Sequence, residues 1–248
     1  MTLLRVERIK LFSTRAPWWC TGIAVAASLG FAALFVGLAG DQIDLTVSSS
    51  QIGSSFGRVV ILVLAVIAAA GEYNWGTIRT TFQAVPKRFP ALLAKAVVVS
   101  VWCALLGLVI GFASWGLALL LRPGADLALN SAADWRAVAG QGVVYLMSAS
   151  AGVGLGLLLR STAMALGVAL VWTQLVEGLV VLIPGIGTDL YQWMPFFAAD
   201  QFIGAEFARS TLGLGDMPMS PLAYGGYFAA ICLALLAAGI LAATRKDA

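Results

Sequence analysis

The chain has 248 residues, of which 60% are hydrophobic and 11% charged, with a formal net charge of +3 and a mean hydropathy of +0.93. A soluble domain carries about 25% charged residues, so this chain cannot hide its apolar surface inside one globule and must use lipid as part of its solvent. It has no histidine, which excludes histidine-based metal sites, His-ligated haem, Ser-His catalysis and the HExxH zinc motif.

In chain order, Met1 to Arg15 is basic with interspersed apolar residues and suits an interfacial helix. The first apolar run, Ala16 to Gly40, is uncharged and too long for a signal-peptide core, so it reads as a retained first span. Ile52 to Gly71, interrupted by Arg58, is the second span; Ala96 to Leu121 is the third, Ala137 to Leu159 the fourth. Ser161 to Ile183, interrupted by Glu177, is the fifth, and the sixth lies within Met217 to Thr244, starting near Leu222. Runs near 20 residues are helix signals, because barrel strands need only about 9–11. The fold expected is therefore all-α, a single transmembrane domain over residues 1–248 with six helical spans.

Orientation follows from Lys and Arg in the connections. With the N-terminus in the cytoplasm, Arg5, Arg8, Lys10, Arg15, Arg79, Lys87, Arg88, Lys95, Arg160, Arg245 and Lys246 lie inside, against Arg122, Arg136 and Arg209 outside. Asp41, Asp44, Asp126, Asp134, Asp189, Asp200, Glu206 and Asp216 fall outside, in agreement. Both termini are thus expected in the cytoplasm. Pro184 to Pro221, with Tyr191, Trp193, Phe196, Phe197 and Phe202, suits short helices dipping into the outer interface.

The inner connection from Glu72 to Lys95 reads EYNWGTIRTTFQAVPKRFPALLAK. With Glu72, Gly76-Thr77-Ile78-Arg79, Pro86-Lys87-Arg88 and Lys95 in that order, it resembles the ABC-2 type permeases, the membrane subunits of type-2 ABC exporters. The N-terminal RVERIKLFSTR, with Glu7, Lys10, Ser13 and Arg15, and the Leu190, Trp193, Pro195, Ala198 pattern before the last span also resemble small bacterial members. The resemblance implies a short coupling helix between spans two and three that seats on a cytoplasmic ATPase. Ile78, Phe82 and Trp75 are its apolar contact candidates, with Arg79, Lys87 and Arg88 facing acidic groups and Glu72 with Arg79 holding the helix. The same loop also fits an ordinary basic anchor on anionic lipid. No GxxxxGK[ST] phosphate loop occurs, so the resemblance implies ATP and magnesium on two separate ATPase subunits, no enzyme activity or cofactor in this chain, a second permease copy or paralogue, and a bacterial inner-membrane location. Nucleic acid is not an expected partner. Cargo would be hydrophobic or amphipathic.

Arg58 and Glu177 each lie six residues from the outer end of a span, about 9 Å deep at 1.5 Å per residue. Charges at such depth are functional hypotheses by default. The resembled family lines its pathway with spans two and five, so Arg58, Thr173, Gln174 and Glu177 are the pathway candidates, with Arg58 and Glu177 expected to pair within or across protomers near the outer gate. Alternatively Arg58 snorkels to the outer headgroups and Glu177 bonds polar neighbours or sits protonated. Gly107/Gly111 and Gly152/Gly156 are GxxxG spacings, which chance also produces. Gln141, Tyr145 and Ser148 form a polar stripe or make local bonds. Cys20, Cys103 and Cys232 lack metal-like spacing. A six-span substrate-capture subunit of an importer is the competing reading, and would need a convergent polar pocket outside; a membrane-embedded enzyme or a channel lacks motifs.

Overall fold

The structure, a computed structural model, describes residues 2–38, 45–85, 88–205, 212–214 and 217–245. Asp41, Asp44, Pro86, Lys87, Glu206, Arg209, Asp216 and Lys246 lie outside the described residues, as do the side chains of Arg79 and Phe82. The described residues are helical with no strand, and six helices are long and apolar enough to cross a membrane. The protein is a multi-pass helical membrane protein.

Helix α1 (Thr2–Ser13) precedes α2 (Ala16–Leu38), the first span. A short 3-10 turn, Ser49–Gln51, leads into α3 (Ser54–Asn74), the second span. Gly76, with φ of 69°, makes the left-handed turn into α4 (Thr77–Ala84), a conformation glycine adopts without steric cost. The third span, α5, runs from Arg88 to Leu121, so the helix begins two turns before the apolar run does. Pro90 does not break it, because a proline in the first turn removes no helical hydrogen bond. The fourth span, α6 (Ala132–Leu159), also starts early, where Ser131 and Asp134 form a reciprocal capping box. The fifth span is α7 (Thr162–Val171), a wider π-turn at Trp172–Val176, and α8 (Glu177–Val180). Two short helices follow, α9 (Gly187–Tyr191) and α10 (Pro195–Phe202), then the sixth span, α11 (Pro221–Arg245).

α6 is the central post. About 67% of its apolar window is buried, against 17% for span five, and it packs on α5, α11 and α3. A helix surrounded on all sides needs small residues where neighbours come close. Both GxxxG pairs meet this need. A Cβ on Gly107 would lie 2.6 Å from the Gln141 carbonyl of α6, and one on Gly152 2.9 Å from the Leu62 carbonyl of α3. The polar stripe of α6 faces inward: Gln141, Tyr145 and Ser148 are buried, and the Tyr145 hydroxyl donates to the Ser54 carbonyl at 2.7 Å.

One end of the bundle gathers α1, the α3–α4–α5 connection, the α6–α7 turn and the end of α11, and carries most of the described basic residues; it is called here the basic end. Arg160 occupies that α6–α7 turn at a φ of 54°. Its Nη2 donates to the Ala242 carbonyl at 2.9 Å, and its guanidinium lies 5.6 Å from the Tyr73 ring centroid. A cation thus caps the Ala242 carbonyl in the last turn of the final helix.

Candidate coupling surface and membrane-embedded charges

Among the described residues, four charges meet at the basic end. Lys95 Nζ, 6% exposed, donates to Glu7 Oε2 at 2.7 Å and to Glu72 Oε1 at 2.8 Å. Lys10 Nζ donates to Glu7 Oε1 at 2.8 Å, to Glu72 Oε1 at 3.2 Å and to the Thr81 hydroxyl at 3.0 Å. The cluster joins α1, α3, α4 and α5. Two cations against two carboxylates make it neutral, the condition under which buried charges are tolerated. Burial pushes the Glu7 carboxyl up, but Lys95 and Lys10 outweigh it and leave it below its ordinary value. Burial likewise pulls the Lys10 ammonium down, and Glu7 and Glu72 outweigh that and leave it raised. Lys95, expected as the last residue of a loop, sits two turns inside α5.

This cluster mounts α4. Ile78 is 3% exposed and packs into the same apolar cluster as Leu11 of α1 and Leu92 of α5. The expectation that Ile78 faces a partner is therefore corrected: in this chain it anchors α4 to the bundle. Thr77, Thr80 and Gln83, spaced three apart, are exposed on the opposite side, and Trp75, just before α4, is 84% exposed. Arg88 opens α5 and is half-buried. Glu72 does hold the connection, through Lys10 and Lys95.

At the far end the two charges within spans are both buried, Arg58 at 6% and Glu177 at 5% exposed, but they do not pair with each other within the chain. Arg58 Nη1 pairs with Asp200 Oδ1 of α10 at 2.8 Å, and its guanidinium lies 5.3 Å from the Phe196 ring centroid. Glu177 caps α10: its Oε1 accepts the Phe196 amide at 3.0 Å and the Trp172 indole N–H at 3.1 Å, and its Oε2 accepts the Phe197 amide at 3.1 Å. A carboxylate at a helix N-terminus satisfies orphan amides and complements the helix dipole. Within the chain, two separate clamps on one short helix stand where a direct Arg58–Glu177 pair was expected. Thr173 bonds the Ala169 carbonyl of its own helix at 2.9 Å, and Gln174 is exposed; neither joins the charged residues.

Asp200 was not a candidate, because nothing in a lone aspartate of an outer segment distinguishes it from Asp189. The nearest signal is its spacing: Phe196 and Asp200 are four apart and share a helix face. α10 is also less interfacial than its aromatics suggest. Phe197, Ala198 and Ala199 are buried against α6 and α11. Only Trp193, 46% exposed, behaves as a surface aromatic, while Tyr191 stacks on Phe197 at 4.6 Å and burial, with Asp200 and Glu177 nearby, pushes its hydroxyl up to about 12.

No family model and no curated protein matches this chain.

Proposed function

We propose that this chain is the permease half of an ATP-driven exporter of the ABC-2 type. In this reading the basic end faces the cytoplasm, two ATPase subunits supply the energy, and a second permease copy or paralogue completes the pathway. The observation that carries it is the mounting of α4. This two-turn helix is fixed to the bundle by Ile78 and the Lys10–Thr81 bond, while Trp75, Thr77, Thr80 and Gln83 face away from the protein. A short helix with a rigid base and a free face suits the transfer of motion from a soluble partner. Glu72 and Lys95 join its base to spans two and three, so displacement of α4 pulls on both.

The cargo class is hydrophobic or amphipathic, in keeping with an interior that has few charges. The competing importer-subunit reading calls for an open polar pocket at the far end; an open cleft lined by Thr46, Asp126, Asn130 and Asp134 lies there, but the membrane-embedded charges Arg58 and Glu177 are not among its lining and are committed to α10. Co-purification from the native membrane tests the proposal. An ATPase with a phosphate-binding loop should accompany the chain, and Trp75→Ala or Thr80→Arg should reduce its recovery while leaving the permease folded. Tight binding of a small molecule with no ATPase present would refute it.

A further inference from the structure

Between Val171 and Ile186 one side chain is buried, and it is the charged one. Trp172, Gln174, Leu175, Leu179, Leu182 and Ile183 are exposed, whereas Glu177 is 5% exposed. Apart from bonds to the turns immediately before and after it, the hydrogen bonds among the described residues that tie this stretch to the rest of the protein end on Glu177. Its large apolar side chains are mostly exposed, with only Val176, Val180 and Val181 half-buried among the described residues. The preceding half, α7, is different: Ala165 and Ala169 pack on Leu62, Val66 and Ala70 of α3.

The boundary between the two halves is the π-turn at Trp172–Val176. The Glu177 amide bonds the Trp172 carbonyl, five residues back rather than four, and no residue of the turn is buried. Such single-turn π-bulges interrupt the regular ladder and are frequent at functional sites.

We infer that span five is hinged at Trp172–Val176, and that Glu177 is a latch closing its distal half onto the N-terminus of α10. α10 is the fixed side, since its Phe197, Ala198 and Ala199 are packed against α6 and α11. Release of Glu177 swings the distal half toward lipid and bares the end of α10 together with Phe196 and the adjacent Arg58–Asp200 pair. The latch is made of directional hydrogen bonds rather than apolar contacts, so it has two distinct positions. Glu177 either caps two amides and an indole, or leaves them to water or to a ligand. This inference does not depend on an ATPase partner and is testable on the chain alone.

The test is distance measurement between spin labels on the full chain in lipid nanodiscs, in a background where Cys20, Cys103 and Cys232 are replaced by Ala. One pair, Leu182 with Leu222, is 73% and 70% exposed and reports the distal half. A second, Met164 with Leu241, is 58% and 51% exposed and reports the proximal half. Glu177→Ala should add a longer-distance population at the first pair. The open fraction should rise roughly tenfold or more, the scale set by losing hydrogen bonds to a charged group, while the second pair stays unchanged. Leu179→Ala, an exposed neighbour outside the turn, should change neither. Glu177→Gln keeps one acceptor oxygen and should lie between; it decides the matter should Glu177→Ala fail to accumulate. Coincident distributions for wild type and the Glu177 variants overturn the latch. Equal shifts at both pairs overturn the hinge.

Discussion

Loss of the Lys95 ammonium should be among the most damaging single changes in the chain. Its Nζ sits 2.7 Å from Glu7 Oε2 and 2.8 Å from Glu72 Oε1, with 6% of the side chain exposed. Lys95→Met keeps a flexible apolar stem but leaves two carboxylates sharing Lys10. The cluster then holds one uncompensated negative charge. Removing one partner of a buried ion pair costs about 3–5 kcal/mol. Lys10 remains close to both carboxylates, and its side chain is 35% exposed, so water reaches that corner; the lower value, about 3 kcal/mol, applies. Adding Glu7→Gln restores neutrality, with Lys10 and Glu72 left as a pair. The double variant should therefore cost less than the sum of the singles by about 1–3 kcal/mol. Equilibrium unfolding in mixed micelles with rising dodecyl sulfate, followed by tryptophan fluorescence, measures both quantities. A Lys95→Met cost below about 1 kcal/mol, or additivity within about 0.5 kcal/mol, would refute the view that the four charges act as one unit.

The far-end pair should respond asymmetrically. Asp200→Asn strands Arg58, whose side chain is 7% exposed, whereas Arg58→Met leaves Asp200, 29% exposed, able to reach water; unfolding in the same micelles should find Asp200→Asn the costlier change, and equal costs would contradict it. Ile78→Ala should loosen α4 by about 2–4 kcal/mol locally, seen as faster proteolysis between Trp75 and Arg88, while Trp75→Ala leaves the isolated chain as stable as wild type. Gly239→Val should separate α11 from α6, because a Cβ there already lies 2.9 Å from Gly154 backbone atoms; a thermal midpoint within a degree of wild type would argue against that contact. The docking of α1 should be level in the neutral range and weaken in acid. The Glu7 carboxyl has an ordinary value of 4.5 and is lowered in the fold, so its contribution is complete above 4.5 and is lost as pH falls through the lower folded value. Lys10, ordinarily 10.5 and raised in the fold, contributes fully below 10.5 and fades only as pH rises past its folded value. Protease accessibility of α1 against pH measures both limbs.

The six spans were legible because each is a long apolar run broken by at most one charge, and the cost of exposed backbone in lipid leaves helices as the solution. Their ends were less so. α5 begins at Arg88 and α6 at Ala132, since a helix continues through polar residues wherever caps and partners satisfy them. Arg58 and Glu177 were visible as misplaced charges, but their partners were not. Arg58 finds Asp200, and Glu177 finds the backbone amides of Phe196 and Phe197; amides carry no residue signature at all. Ile78 shows the same limit. An isoleucine in a basic loop advertises an apolar contact, but its identity does not say whether that contact lies within the chain or beyond it. The Glu7–Lys10–Glu72–Lys95 cluster escaped for a further reason: its members come from three separate helices, and each looks like an ordinary end-of-helix charge.

The Arg58–Asp200 pair also sets a waiting time during synthesis. The residues are 142 apart in the chain (200 − 58), so at about 5–20 residues per second the arginine exists for roughly 7–28 seconds before its partner has been made. Over that interval span two must stay in the bilayer with an unpaired cation, at a cost below the roughly 2.5–3.5 kcal/mol that insertion scales give at a helix centre. The apolar stretch from Val59 to Ala70 is what holds it there, and the chain's last third then redeems a charge that its first third had to carry alone.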